Sequence, residues 1–342
     1  MGCAITDLLI SHTIELGDLK KKKLMIDAYN MLYQFLTTIR QADGTPLMDS
    51  KGRITSHLTG LFNRTTRFMS LGMKLAFVFD GEVPELKYAE LSKRKSRKEE
   101  AHKKHKEAVE KKDIESMKKY ATRTTRLTGQ MIEESKDLLE ALGTPVIQAP
   151  SEGEAQAAYI VKQKDAYAVV SQDADCLLFG SPKLVKNLSV AGRKKMPGRM
   201  AYVSVTPELI ELKENLKNLE LSQDQLIALG LLVGTDFNPG GVKGIGPKKG
   251  LKLVQEHGKD FDSLFKKAGW DFEFDWDVPF NVIKNMPVEK KYKLKWKVID
   301  RKKVLKILCD KHDFSEERVS KKLDEVSSKQ EKAKQKGLKQ WF

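Results

Sequence analysis

The chain has 342 residues, 62 of them Lys or Arg against 47 Asp or Glu, a net charge of +15, and 40% of it is hydrophobic. That is enough apolar material for a substantial core, which excludes global disorder. No apolar run is long enough to span a membrane. The three cysteines, Cys3, Cys176 and Cys309, lack a CxxC pair, which excludes a zinc ribbon or a disulfide framework. So large a positive charge predicts a polyanionic partner, nucleic acid ahead of a membrane surface.

The first residues, MGCAITDLLI, precede their lysines and so do not read as a secretory signal. MGCAIT also fits the myristoylation pattern, with Cys3 beside it, which keeps a lipidated membrane-surface protein as an alternative. That alternative explains nothing further along the chain.

Next come a predicted strand at Leu24–Asp27, helices at Tyr29–Arg40 and Ser56–Ser70, and a strand at Leu75–Asp80. The stretch Lys87–Arg126 then holds 15 basic and 7 acidic residues, a net +8, with no Gly or Pro. It is rich in helix formers and poor in large apolar residues, so it predicts a solvated helical insertion, either a charged hairpin or a mobile element contacting phosphates. His102 and His105 lie within it three residues apart, but no third ligand supports a metal site there.

A helix at Met131–Leu142, a strand at Pro145–Gln148, a helix at Glu152–Lys164 and strands at Tyr167–Ser171 and Leu184–Asn187 follow. Strands alternating with helices predict an α/β fold with a mostly parallel central sheet flanked by helices. From Ser222 the pattern is helical, broken by glycines at Gly240–Gly250. The last stretch, SSKQEKAKQKG, is polar and lysine-rich and reads as a flexible tail.

Acidic residues recur where the predicted strands stop. These are Asp27, Asp80, Asp173 and Asp175, with Glu152 and Glu154 at a helix start. In a parallel sheet these positions face one crevice. Asp236, after a buried-looking helix, is a seventh candidate. Taken singly, each acid is as readily a helix cap or a solvated side chain, and Ser151–Glu154 fits a capping box. Taken together, so many carboxylates repel unless a hard cation neutralises them, and an all-oxygen set favours Mg²⁺ or Mn²⁺ over zinc. Two ions about 4 Å apart would suit phosphodiester hydrolysis.

The segment GGVKGIGPKKG lacks a Walker A pattern and no strand precedes it. Its glycines permit a tight turn, Pro247 suits the first turn of a helix, and Lys243, Lys248 and Lys249 lie beside that helix start. This is a helix-hairpin-helix pattern for duplex phosphates, the alternative being an ordinary turn between two helices. At the end, QKGLKQWF spaces Gln335, Leu338, Trp341 and Phe342 as in the motif with which replication proteins dock on a sliding clamp, unless the tail folds back on its own core.

Together these blocks, with IDAYNMLYQFL, FVFDGEVPELK, APSEGEAQAAY and VVSQDADCLLFGSP, resemble the flap endonuclease family of structure-specific 5′ nucleases, in its archaeal form. The resemblance implies a 5′ nuclease (PIN-like) fold with a nuclease core over residues 1–327. That core would include a helical arch at about 84–130 and a helix-hairpin-helix at about 222–260, followed by a flexible tail with a clamp motif at 328–342. It implies that Asp27, Asp80, Glu152, Glu154, Asp173, Asp175 and Asp236 bind two Mg²⁺ ions, which Mn²⁺ replaces. Lys87 and Arg94 would reach the scissile phosphate. Tyr33 would stack on a base, and Gly2 would lie near the active site. Gly244, Ile245 and Gly246, with the lysines around them, would hold duplex DNA.

The implied activity is cleavage of branched DNA with a 5′ flap in replication (Okazaki fragment maturation) and repair. The implied partner is the sliding clamp (PCNA), and the implied state is a cytoplasmic, nucleoid-associated monomer with no membrane role. A related 5′-3′ exonuclease, a gap or bubble nuclease, an RNase with the same acids and a non-catalytic clamp-bound scaffold remain as alternatives.

Overall fold

The computed structural model describes residues 5–110, 113, 116, 120, 124–190, 192–195 and 202–338. Among them, nine strands are β1 (His12–Thr13), β2 (Lys23–Asp27), β3 (Lys74–Phe79), β4 (Val146–Gln148), β5 (Ala168–Val170), β6 (Lys183–Lys186), β7 (Gly192–Lys195), β8 (Tyr202–Val205) and β9 (Glu208–Glu211). The main sheet runs β1-β9-β6-β5-β2-β3-β4. Its β6-β5-β2-β3-β4 portion is parallel, whereas β9 is antiparallel to both β6 and β1. β7 and β8 form a separate antiparallel ribbon. The five predicted strands are the five parallel ones. The antiparallel edge escaped prediction because β1 has only two residues and both are exposed.

The sheet centre is buried on both faces, as parallel strands covered by helices must be. Alternation divides β2 between two cores: Met25 joins one, Leu24 and Ile26 the other. The second core receives α1 (Ala28–Thr38), α2 (Ser56–Ser70) and α4 (Gly129–Ala141). Helices α1 and α2 lie so close that a Cβ on Gly60 would stand 2.2 Å from Cγ of Phe35. The first core receives α5 (Gly153–Lys162), α6 (Asp175–Leu178), α7 (Leu212–Asn218), α8 (Gln223–Val233), α9 (Pro247–His257), α10 (Phe261–Ala268) and α11 (Asp277–Lys284). Between β3 and α4 rises α3 (Tyr88–Glu110), a 23-residue helix at the start of the basic insertion.

One reading changes. Helix α5 is capped at Glu152 without a side-chain bond, and Ser151 Oγ donates instead to the Glu82 carbonyl at 2.8 Å, so Ser151–Glu154 is no capping box. Part of the segment from 328, expected as a flexible tail, continues a helix as far as Leu338, and residues 339–342 lie outside the described residues. After α12 (Arg301–Leu305), α13 runs Glu316–Leu338, because Lys, Gln, Glu and Ala are strong helix formers even without an apolar face. Its first half is anchored by buried Val319, Leu323 and Val326.

Candidate active site

The strand order places Asp27 at the end of β2, Asp80 just past β3, Glu152 and Glu154 after β4, and Asp173 and Asp175 after β5. These are four adjacent strands, so six acids meet at one edge. Asp236 arrives from the turn after α8. All seven line a single cavity of about 750 Å³, together with Lys87, Arg94, Tyr33 and Asn30.

Burial of this charge is visible in the carboxyl groups. Asp27 is raised to about 6, first by burial and then by Asp173 and Glu152. Asp80 is raised to about 7 by burial, Asp27 and Glu152. Glu154 is held well above its ordinary value by burial, then by Asp175, Asp27 and Asp173. Neutral donors position some of the acids. Asp27 accepts from the Asn30 amide at 3.0 Å and from Ser171 Oγ at 3.1 Å, and Asp80 accepts from the Gly153 amide at 2.8 Å. Glycine at 153 gives that contact room, since a Cβ there would lie 2.6 Å from Asp80 Oδ1 and one of the two would have to shift.

Two other acids are held by cations. Lys87 Nζ stands 2.6 Å from Glu152 and 3.3 Å from Asp236, and Arg94 Nη2 donates to Asp236 at 2.6 Å. Burial alone would depress the Lys87 ammonium, but Glu152 and Asp236 outweigh it and hold it above its usual range. Arg94 is also raised, burial being overcome by Asp236 and Glu90.

The chemistry of the donor set fits a hard divalent cation: it is all carboxylate, and three of its members carry more negative charge than their surroundings stabilise. Among the described residues no three His, Cys, Asp or Glu side chains are already drawn into a metal-holding cluster. Lys87 and Arg94 supply positive charge to the outer acids, Glu152 and Asp236.

Tyr33 lies on the cavity wall, 37% exposed, with Lys98 Nζ 5.2 Å from its ring. The hairpin residues are not in the cavity. Lys243, Gly244, Gly246, Lys248 and Lys249 lie at the N-terminal end of α9, and a Cβ on Gly244 or Gly246 would meet nothing within 4 Å. Ile245 corrects the sequence reading. Its side chain is buried in the first core and its N–H donates to the Val242 carbonyl at 3.1 Å, so neither group is available to DNA. An isoleucine in a glycine-rich turn has to be covered, and α9 needs an apolar anchor. Of the remaining predicted residues, Gln335 and Leu338 fall on α13, whereas Gly2, Trp341 and Phe342 lie outside the described residues.

Sequence reasoning missed Asn30 and Ser171, which touch three of the seven acids. The signal for Asn30 was present: it stands one helical turn after a strand-end aspartate. Glu90, Arg97 and Arg126 also line the cavity.

Comparison with known proteins agrees along the whole chain. Residues 5–101 match the XPG N-terminal domain and residues 143–236 the XPG I-region. Flap endonuclease 1 of Pyrococcus furiosus is 52% identical over 346 residues, covering 100% of this chain and 99% of that protein. The Thermococcus onnurineus protein of the same name is 52% identical over 342 residues, again with 100% and 99% coverage. The structure of flap endonuclease-1 from Methanococcus jannaschii superposes with a TM-score of 0.75 at 41% identity, over 96% of this chain and 98% of that one. The catalytic core of Rad2, solved in complex with DNA substrate, shares the fold at 23% identity and a TM-score of 0.69, over 95% of this chain and 100% of that one.

Proposed function

The chain belongs to the flap endonuclease family, and on that premise we propose how its residues divide the work of cutting 5′ flaps from branched DNA. The family's nucleases are metal-dependent. The observation that carries the assignment of roles is the meeting of seven carboxylates from separate chain segments in one cavity with Lys87 and Arg94.

Asp27, Asp80, Glu152, Glu154, Asp173, Asp175 and Asp236 would hold two Mg²⁺ ions, or Mn²⁺ in their place. When bound, the ions supply Lewis acidity and an ionised water for attack on phosphorus. The protein's own part is positioning and charge. Lys87 and Arg94 move from their carboxylate partners to the scissile phosphate and stabilise the charge that builds on its oxygens. Tyr33, in the cavity wall, stacks on the terminal base. The basic segment at about 84–130, beginning with α3, forms the arch that gathers the flap.

Duplex DNA sits on the α9 end, where the backbone of Gly244 and Gly246 admits a phosphate closely and Lys243, Lys248 and Lys249 neutralise it without reading sequence. The clamp motif Gln335, Leu338, Trp341 and Phe342 ties the monomer to the sliding clamp, and the enzyme works in the cytoplasm at the nucleoid. No helix among the described residues is long and apolar enough to cross a membrane.

The test is a 5′-labelled flap duplex incubated with Mg²⁺ or with EDTA, using wild type and Asp173→Ala. Cleavage at the flap base only with Mg²⁺, lost in the variant, is the expected result. A variant that cuts at the wild-type rate refutes the metal assignment. Release of the label as a mononucleotide identifies a 5′-3′ exonuclease, and binding without any product identifies a scaffold.

A further inference from the structure

The acids of the site differ in what holds them. Glu152 and Asp236 are paired with Lys87 and Arg94. Asp173 is held by a neutral side chain, that of Asn30, whose Nδ2 donates to its Oδ2 at 2.9 Å. We propose that Asn30 is the positioning residue for Asp173, fixing the direction from which that carboxylate meets a divalent cation. The inference rests on reading Asp173 as a metal-binding acid.

Three bonds fix Asn30, two of them through its side chain. Its backbone N–H donates to Asp27 Oδ1 at 3.0 Å, which locks the first turn of α1. Its Oδ1 accepts the backbone N–H of Gln172 at 3.2 Å. A backbone N–H only donates, so the carboxamide oxygen must face Gln172 and the NH₂ must face Asp173. A flipped amide would set N–H against N–H and oxygen against carboxylate. One side chain therefore ties the start of α1 to the turn after β5 and directs its donor to the acid between them.

The backbone of Asp173 is fixed from the other side. Its N–H donates to Ser171 Oγ at 3.2 Å. The Ser171 hydroxyl has a single proton to share between Asp27 Oδ2 at 3.1 Å and Glu154 Oε1 at 3.3 Å. With Oδ2 engaged by Asn30, Oδ1 of Asp173 is the oxygen that would meet a cation in the cavity that this residue lines. An uncharged donor does this without neutralising the charge that attracts the cation. A lysine or arginine at position 30 would orient the carboxylate but compete with the ion. Partners of metal-ligating groups at this remove typically change metal affinity by about 10–100-fold when removed.

The test measures ion binding directly, without DNA. Free Mn²⁺ is counted by electron paramagnetic resonance in titrations of wild type, Asn30→Leu, Asn30→Ala, Asp173→Asn and the double variant Asn30→Leu/Asp173→Asn. Thermal melting in EDTA shows that each is folded. The expected result is Mn²⁺ binding weakened about 10-fold or more by both Asn30 substitutions, with the double variant no weaker than Asp173→Asn alone. Wild-type affinity in both Asn30 variants overturns the proposal. So does a loss in the double variant equal to the product of the two single losses, because Asn30 would then act elsewhere than through Asp173. If Asn30→Leu does not fold, Asn30→Ala decides alone. Wild-type affinity in Asp173→Asn identifies a different failure: the metal assignment of Asp173 falls, and this inference with it.

Discussion

Lys87 reaches across 65 residues of sequence to donate to Glu152 at 2.6 Å. Together with Arg94 on Asp236, it gives two of the seven acids a cationic partner. The outer acids Glu152 and Asp236 draw positive charge from the residues proposed to act at the phosphate, whereas burial keeps Asp27, Asp80 and Glu154 raised although neutral donors, and Lys87 near Asp80 and Glu154, oppose it. On the proposed assignment a bound cation would relieve the inner carboxylates and would loosen the hold of Glu152 and Asp236 on Lys87 and Arg94.

That exchange predicts opposite effects for one substitution. Lys87→Met should lower single-turnover cleavage by about 10²-fold or more, the usual cost of losing a donor to a charge-bearing transition-state oxygen. It should leave Mn²⁺ binding as tight as in wild type or tighter, because a competing cation is gone. Weaker ion binding in this variant would contradict the competition.

The raised carboxyls predict a pH dependence of stability in EDTA. An acid whose folded value lies above its unfolded value binds more protons folded than unfolded, so stability falls as pH rises between the two. For Asp27 and Asp80 that window runs from their ordinary 3.8 up to about 6 and about 7. The melting temperature without metal should therefore decline across this range, and saturating Mg²⁺ should flatten the decline. Equal slopes with and without Mg²⁺ would show that the ions do not relieve these acids.

Gly153→Ala tests the close approach at Asp80. The new methyl would lie 2.6 Å from Oδ1, so the carboxylate or the α5 start must shift. The expected cost is about 1–3 kcal/mol of stability, as for overpacking elsewhere, and a loss of cleavage larger than the loss of fold. A variant with wild-type melting and activity would mean the strand end yields without consequence.

The hairpin separates a core residue from its neighbours at the helix start. Lys248→Ala with Lys249→Ala should weaken binding to any duplex and reduce the salt slope by about 2, one for each phosphate that a lysine no longer neutralises. Ile245→Ala should instead destabilise the fold by about 2–5 kcal/mol, because it opens a cavity under α9. Its DNA affinity, measured well below its melting temperature, should stay near wild type.

Removing residues 335–342 should leave basal flap cleavage unchanged and abolish stimulation by the sliding clamp. Loss of basal activity would place the C-terminal motif in the nuclease itself.

Local sequence was enough to specify which segments become the parallel strands, because β2 and β3 are nearly continuous apolar runs that only a doubly covered sheet can bury. It also marked each acid by its place at a strand or helix end, the basic segment by composition, and the hairpin by glycines ahead of a helix-starting proline. Local pattern could not supply the order β5-β2-β3-β4, which depends on which apolar faces find each other over long separations and which alone brings Asp27, Asp80, Glu152, Glu154, Asp173 and Asp175 to one edge. The same limit hid the role of Asn30, whose carboxamide acquires its partners only when α1 meets the turn after β5. It made Ile245 look like part of a DNA-facing turn, when the packing of α9 draws it into the core. The negative charge that defines the site is likewise tertiary. Asp27, Asp80 and Glu154 are ordinary acids in their own segments, and are raised only when burial removes their water and the adjacent strands bring other carboxylates beside them.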